Sequence, residues 1–255
     1  SGNYFKDDGY RMGQNILRKR VSSNLKHYPQ KIDGLELGIN GIYMQKEDGM
    51  FLLWESFENG YIPLDSNLYR KNSQLLQISP YVSLKTNKGK HILKTQFLNI
   101  AFDYNPVDSI RDNDMSSRIY YLDYKYKREI DQIKSNIIIG LNNKITFANA
   151  DVFSGTNYVN LNSIYTLLEK KTDRTTLSLG SRYEMVRMTS DEEFSYAGRD
   201  STNRFSISFP VFYAGISHKI NNYNSLRTYW GQGVRFPSIA EMFVSTDALE
   251  GTYIF

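Results

Sequence analysis

Tyr120-Tyr121-Leu122-Asp123-Tyr124-Lys125-Tyr126-Lys127 changes character at every step. In an extended chain Tyr120, Leu122, Tyr124 and Tyr126 share one face, and Tyr121, Asp123, Lys125 and Lys127 the other. A helix would scatter both sets around its circumference, so period two marks a strand with one greasy wall and one wet wall. The same pattern recurs along the chain. Residues 176–184 set Leu177, Leu179 and Tyr183 against Ser178, Gly180, Arg182 and Glu184. Residues 136–148 set Ile137, Ile139, Leu141, Ile145 and Phe147 against Asn136, Gly140, Asn142, Lys144 and Thr146. In residues 226–236, Leu226, Trp230, Val234 and Phe236 oppose Arg227, Tyr229, Gly231, Gly233 and Arg235.

Between these segments two kinds of connection alternate. Short, tight turns fall at residues 29–34, 87–89, 129–134, 171–174 and 221–224. Longer polar stretches fall at 55–67, 104–117, 151–157 and 189–203. Short turns at one end and long loops at the other predict an all-β, antiparallel up-and-down meander of about ten strands, since a tilted spanning strand needs ~9–11 residues. No composition break divides the meander, so residues 1–255 are expected to form one domain.

Composition narrows the surroundings. No run approaches the ~20 apolar residues of a membrane helix. Tyrosine (20) and phenylalanine (14) are abundant and proline (6) is scarce, as suits aromatic-rich strands. Alternation alone leaves a soluble sandwich and a transmembrane barrel both open. The greasy wall favours the barrel, because it carries Tyr, Leu, Ile and Phe where a solvated sheet would carry Lys and Thr. With no cysteine, disulfide scaffolds and thiolate metal sites are excluded. Basic and acidic residues number 31 and 27 and are interspersed, which indicates neither nucleic-acid binding nor a basic surface patch. The opening Ser1-Gly2-Asn3 carries no leader pattern and is expected to belong to a mature or truncated product.

Catalytic chemistry finds little footing. There is no Gly-x-Ser-x-Gly elbow, and His27, His91 and His218 each sit beside a short turn, where polar strand ends account for them. Asp108, Asp112 and Asp114 could approach a Ca²⁺ ion, but their spacing lacks the glycine and final glutamate of a helix-loop-helix calcium loop. Solvated loop charge accounts for them, and for Asp191, Glu192 and Glu193. Gly231-Gln232-Gly233 has no Gly-Lys after it and is no phosphate cradle. The expectation is a protein that is not an enzyme, with no catalytic residues, metal or cofactor.

The run Tyr229–Phe243, YWGQGVRFPSIAEMF, resembles the late-barrel motif of TonB-dependent outer-membrane receptors, particularly those of the Bacteroidetes type. Arg235, Pro237, Ser238 and Glu241 hold the specific register. Weaker similarity runs in the same order through residues 28–35, 50–54, 179–184 and 210–217. The resemblance implies a large barrel closed around an amino-terminal plug, of which about ten strands and no plug are present here. The natural protein is therefore expected to extend in both directions. It further implies residence in the outer membrane amid lipid and lipopolysaccharide, with a TonB complex as energy-supplying partner. The implied ligand is a small, scarce nutrient such as an iron–siderophore complex, haem or cobalamin. Arg182, Glu184, Arg227 and Tyr229 become lumen-facing candidates. Arg235 is expected to face the lumen too, either touching plug or ligand or pairing with Glu241 to shape the loop after Pro237. If short turns face the periplasm, the histidines lie at the wrong end to capture haem from outside. A passive porin or surface-binding barrel is the alternative reading.

Overall fold

A computed structural model describes residues 1–51, 53–64, 68–106, 113–150, 156–194, 202–239 and 241. Among them eleven strands form one antiparallel sheet in which every strand neighbours the next in sequence. They are β1 (Gly2–Asp7), β2 (Ile16–His27), β3 (Leu35–Phe51), β4 (Leu68–Thr86), β5 (Gly89–Pro106) and β6 (Asn113–Ile130). After a single 3₁₀ turn at Asp131–Ile133 follow β7 (Ser135–Ala150), β8 (Asn157–Lys171), β9 (Thr175–Phe194), β10 (Thr202–Lys219) and β11 (Ser225–Gly231). The short connections all lie at one end. There is one strand more than expected, because β1 pairs with β2 at the very start of the chain. The sheet also reaches further into the polar stretches than the sequence suggests, since β5 runs to Pro106 and β9 to Phe194. The strands outgrow the membrane: β9 has 20 residues, about twice what a spanning strand requires.

Register fixes the two faces. Tyr120 lies opposite Phe97 and Ile145, and Leu179 opposite Leu168 and Ala214, so the outer face is continuous and greasy across β5–β10. Asp123 lies opposite Lys94 and Asn142, and Arg182 opposite Tyr165 and Val211, so the inner face carries the polar groups. Outward residues such as Leu179 (57% exposed) and Ile164 (55%) meet no other layer of the chain. In water that arrangement would cost ~25 cal/mol per Å² of apolar surface, whereas in hydrocarbon it costs nothing. Higher on the same face a row of rings runs Phe97–Tyr120–Phe147–Tyr158, with centroids 5.2, 6.3 and 5.1 Å apart in turn. Aromatic girdles flank the apolar band of such a wall, and this row belongs to the upper one, its Tyr158 end reaching beyond Asn160 and Asn162.

On the inner face four tyrosines lie flat over glycines of the adjacent strand: Tyr81 over Gly38, Tyr165 over Gly140, Tyr213 over Gly180 and Tyr229 over Gly215. A Cβ at Gly140 would sit 2.3 Å from the Tyr165 ring, and one at Gly180 would sit 2.4 Å from that of Tyr213. These pairs pin neighbouring strands in register, the ring covering backbone that glycine leaves bare.

Above Pro210 the polarity of β8–β10 reverses. Val159, Val186, Met188 and Phe205 form an apolar cluster on the inner side, with Val186 and Met188 each only 2% exposed. Outside at the same level stand Asn160, Asn162, Arg187, Ser206 and Ser208, and Asn143 donates to Asn160 (2.8 Å) and Asn162 (2.7 Å). This part of the wall has left the hydrocarbon and obeys the rule of proteins in water.

β11 ends at Gly231, which corrects the expected strand to residue 236. Residues 232–238 carry no strand pairing and fold inward, and Phe236 and Ile239 pack against the apolar cluster. Val234 and Phe236, expected on the greasy outer face, therefore line the interior. The reason is the wall itself, because the inner surface of β8–β10 is apolar at that level and gives these side chains a dry partner.

Candidate functional site

Two clefts open on the inner wall and share Arg182. The lower, of about 490 Å³, is bounded by Tyr121, Asp123, Lys125, Asn142, Tyr165 and Arg182. Here Tyr165 donates to Asp123 (3.2 Å), the Lys125 ammonium stands 3.9 Å from the same carboxylate, and Ser163 donates to Asn142 (2.7 Å). The wall is polar but largely self-satisfied. The upper cleft, of about 570 Å³, has Lys144, Arg182 and Glu184 at its base and Val159, Leu161 and Val186 along its side. Val234, Phe236, Pro237 and Ser238 roof it. Arg182 Nε stands 2.6 Å from Glu184 Oε1, yet its N–H finds no well-aligned acceptor. The contact is a charge pairing rather than a directed hydrogen bond.

The roof is held by a local knot. Ser238 N–H donates to Glu241 Oε2 (2.7 Å), and Glu241 N–H donates to Ser238 Oγ (3.2 Å). Helical backbone appears at Ile239 and Glu241. This is a capping box: Ser-x-x-Glu satisfies two of the orphan N–H groups at a helix start reciprocally. The Arg235 guanidinium contacts the other oxygen of the same carboxylate. The Glu241 carboxyl is held below its ordinary range by the Ser238 backbone N–H, then by the Ser238 hydroxyl, and further by Arg235. Pro237, with no N–H to donate to a sheet ladder, stands just before the cap.

Of the candidates named from sequence, Arg182 and Glu184 meet Pro237 and Ser238 around the upper cleft. Arg227 and Tyr229 face the same interior on β11, opposite Ser217 and Gly215, nearer the turn end. Arg235 leaves the alternation, which stops where the sheet stops, and its guanidinium pairs with Glu241, the structural one of its two expected roles. The capping box is not among the sequence expectations although Ser238-x-x-Glu241 spells it, because the residues after Pro237 are expected to form a loop with no helix start. Asp108 and Asp112 lie outside the described residues, as do the side chains of Glu192 and Glu193, while Asp114 and Asp191 are exposed. Among the described residues no three His, Cys, Asp or Glu side chains converge as metal ligands.

A wall greasy outside up to an aromatic row, wet inside, and turned tightly at one end defines a transmembrane β-barrel of the outer-membrane kind. The sequence matches the TonB-dependent receptor-like β-barrel family over residues 1–254, and the chain belongs to that family and to the outer membrane. Solved receptors share the fold. The alcaligin outer-membrane receptor of Bordetella pertussis superposes with a TM-score of 0.62 at 11% identity, covering 87% of this chain and 35% of its own. The ferric yersiniabactin uptake receptor of Yersinia pestis gives 0.62 at 11%, covering 87% and 39%. The siderophore receptor of Acinetobacter baumannii gives 0.60 at 13%, covering 90% and 44%. The chain thus spans less than half the length of each. No curated protein matches it in sequence.

Proposed function

We propose that this barrel wall belongs to a receptor, of the Bacteroidetes type, that takes up a scarce nutrient across the outer membrane with energy from a TonB complex. Residues 1–255 act as one domain of it, the ligand being an iron–siderophore complex, haem or cobalamin held by long loops and an amino-terminal plug. No bond is made or broken; the wall guides and releases. The observation that carries this reading is the family match over nearly the whole chain, and solved receptors of the same fold are named for alcaligin, for ferric yersiniabactin uptake and for a siderophore. Arg182, Glu184, Arg227 and Tyr229 would face plug or ligand, and Arg235, Pro237, Ser238 and Glu241 would shape the roof of the upper cleft.

The test is uptake of radiolabelled ferric siderophores, haem and cobalamin by cells with and without the gene, and with and without TonB. Loss of one uptake activity in both deletions supports the reading. Uptake that persists without TonB, together with steady conductance of the purified protein in planar bilayers, would establish a passive pore instead.

A further inference from the structure

All three histidines of the chain lie on the lipid-facing side at the short-turn end: His27 opposite Leu37, His91 opposite Leu84 and Tyr126, and His218 opposite Leu226. Around one of them the surface is hollowed. A groove of about 750 Å³ runs over β5, β6 and β7, with Lys88, His91, Tyr124 and Tyr126 at its head and Ile139 and Leu141 along its floor. Hydrogen bonds fix the head. His91 Nδ1 and the Tyr124 hydroxyl are 2.8 Å apart, the Tyr126 hydroxyl donates to the Lys88 carbonyl (2.8 Å), and the His91 and Tyr126 rings meet at a tilt of 37° with centroids 4.8 Å apart. Ile139 and Leu141 are 43% and 45% exposed.

Charge separates this head from the wall behind it. On the inner face Lys125 and Lys127 have carboxylates within reach, Asp123 at 3.9 Å and Glu129 at 3.0 Å. Lys88, in the turn, and Arg128, one step beyond Tyr126 on the outer face, have no ion-pair partner among the described residues. Lys88 and two hydroxyl-bearing rings line the head of a greasy trough open to acyl chains, and Arg128, opposite Ile137 on the same face, flanks it toward the turn. Short turns place this end in the periplasmic leaflet, which is built of phospholipid.

We infer that the groove over β5–β7 is a binding site for an anionic phospholipid, its phosphate held by Lys88 and Arg128 and an acyl chain lying along Ile139 and Leu141. Arginine and lysine beside a membrane interface select anionic headgroups through charge and N–H donation. The site serves anchoring and does not depend on what the receptor transports.

The full receptor, extracted from outer membranes and examined by native mass spectrometry after incubation with phosphatidylglycerol or phosphatidylcholine, tests this. The wild type should retain phosphatidylglycerol in preference. Lys88→Gln and Arg128→Gln should each weaken that preference about fivefold, the size expected of one interfacial cation. Ile139→Trp, which fills the trough while keeping a lipid-compatible surface and both cations, should lower retention as well. Lys125→Gln with Lys127→Gln, on the other face, should leave it unchanged. Heat-modifiable migration in gels verifies that each variant is folded. Equal retention of the two lipids by the wild type would overturn the proposal. So would indifference to the Lys88 and Arg128 changes, or equal loss in the inner-face control. Displacement of the bound lipid by soluble glycerophosphoglycerol would likewise overturn it, showing a phosphate site rather than a lipid site.

Discussion

The turn-side half of β8–β10 and its loop-side half are the same strands under opposite rules. Near the turns Leu168, Leu179 and Ile216 point outward, while Glu169, Gly180 and Ser217 point inward. Past Pro210 the outward set turns mostly polar, with Ser206, Ser208, Arg187 and Asn160 beside Met185, and the inward set becomes Phe205, Ile207, Val186 and Met188. Strand pairing keeps one register through the change, so no slip of the sheet ladder produces it. The solvent does. Where hydrocarbon surrounds the wall, greasy side chains go out; where water surrounds it, they go in and need a cover, which residues 234–239 supply.

The sharpest way to break the comparison is to charge the outer face of the lower half. Leu179→Arg should cost ~2–4 kcal/mol near the midplane and sharply reduce the folded, heat-modifiable fraction in outer membranes. Ser178→Arg, one residue away on the wet face, should assemble nearly as well as wild type. Equal assembly of the two would erase the distinction between faces. The upper half should answer to packing rather than to lipid. Met188→Ala removes a buried side chain from the inner cluster and should cost about 2 kcal/mol, the low end for such truncations because an open cleft adjoins it. Its signature is faster proteolysis near residues 232–239 with unchanged membrane assembly.

How much of this was legible follows from what period two encodes. Alternation in residues 120–127 and 176–184 identifies strands and sorts side chains into two faces, and the register bears out both faces there. It does not say which face is outside, and nothing local can, because that depends on the height of each residue in the membrane. The reversal in β10 left a trace nonetheless. Greasy positions are odd at Phe205, Ile207 and Phe209 and even at Phe212, Ala214 and Ile216, a phase slip across Pro210. Residues 232–236 mislead for a related reason: Val234 and Phe236 keep step with Leu226 and Trp230 although the ladder has ended. Of the candidate site, Arg182 and Glu184 could be placed from parity alone. Their meeting with Pro237 and Ser238 could not, since it depends on a turn out of the sheet.

The roof sharpens the comparison at finer scale. Ser238→Ala removes the hydroxyl acceptor of the capping box and should weaken the local helix start by ~1 kcal/mol, with Ser238→Asp restoring it. Limited proteolysis at residues 232–241 reads both. Acid should act on the same knot through Glu241, and the sign is fixed by the direction of its shift. Its carboxyl is depressed in the folded state, so its contribution is complete above the ordinary carboxylate pKa of about 4.3 and fades as pH falls through the lower folded value. Between neutral pH and pH ~5 the roof should therefore hold constant, and below ~4 it should loosen while the barrel stays assembled. Glu241→Gln keeps an acceptor for the Ser238 N–H but has no charge to lose, so it should flatten the acid response while lowering protection modestly at neutral pH. An acid response that survives this change would move the switch to another group and leave the knot a purely steric cover.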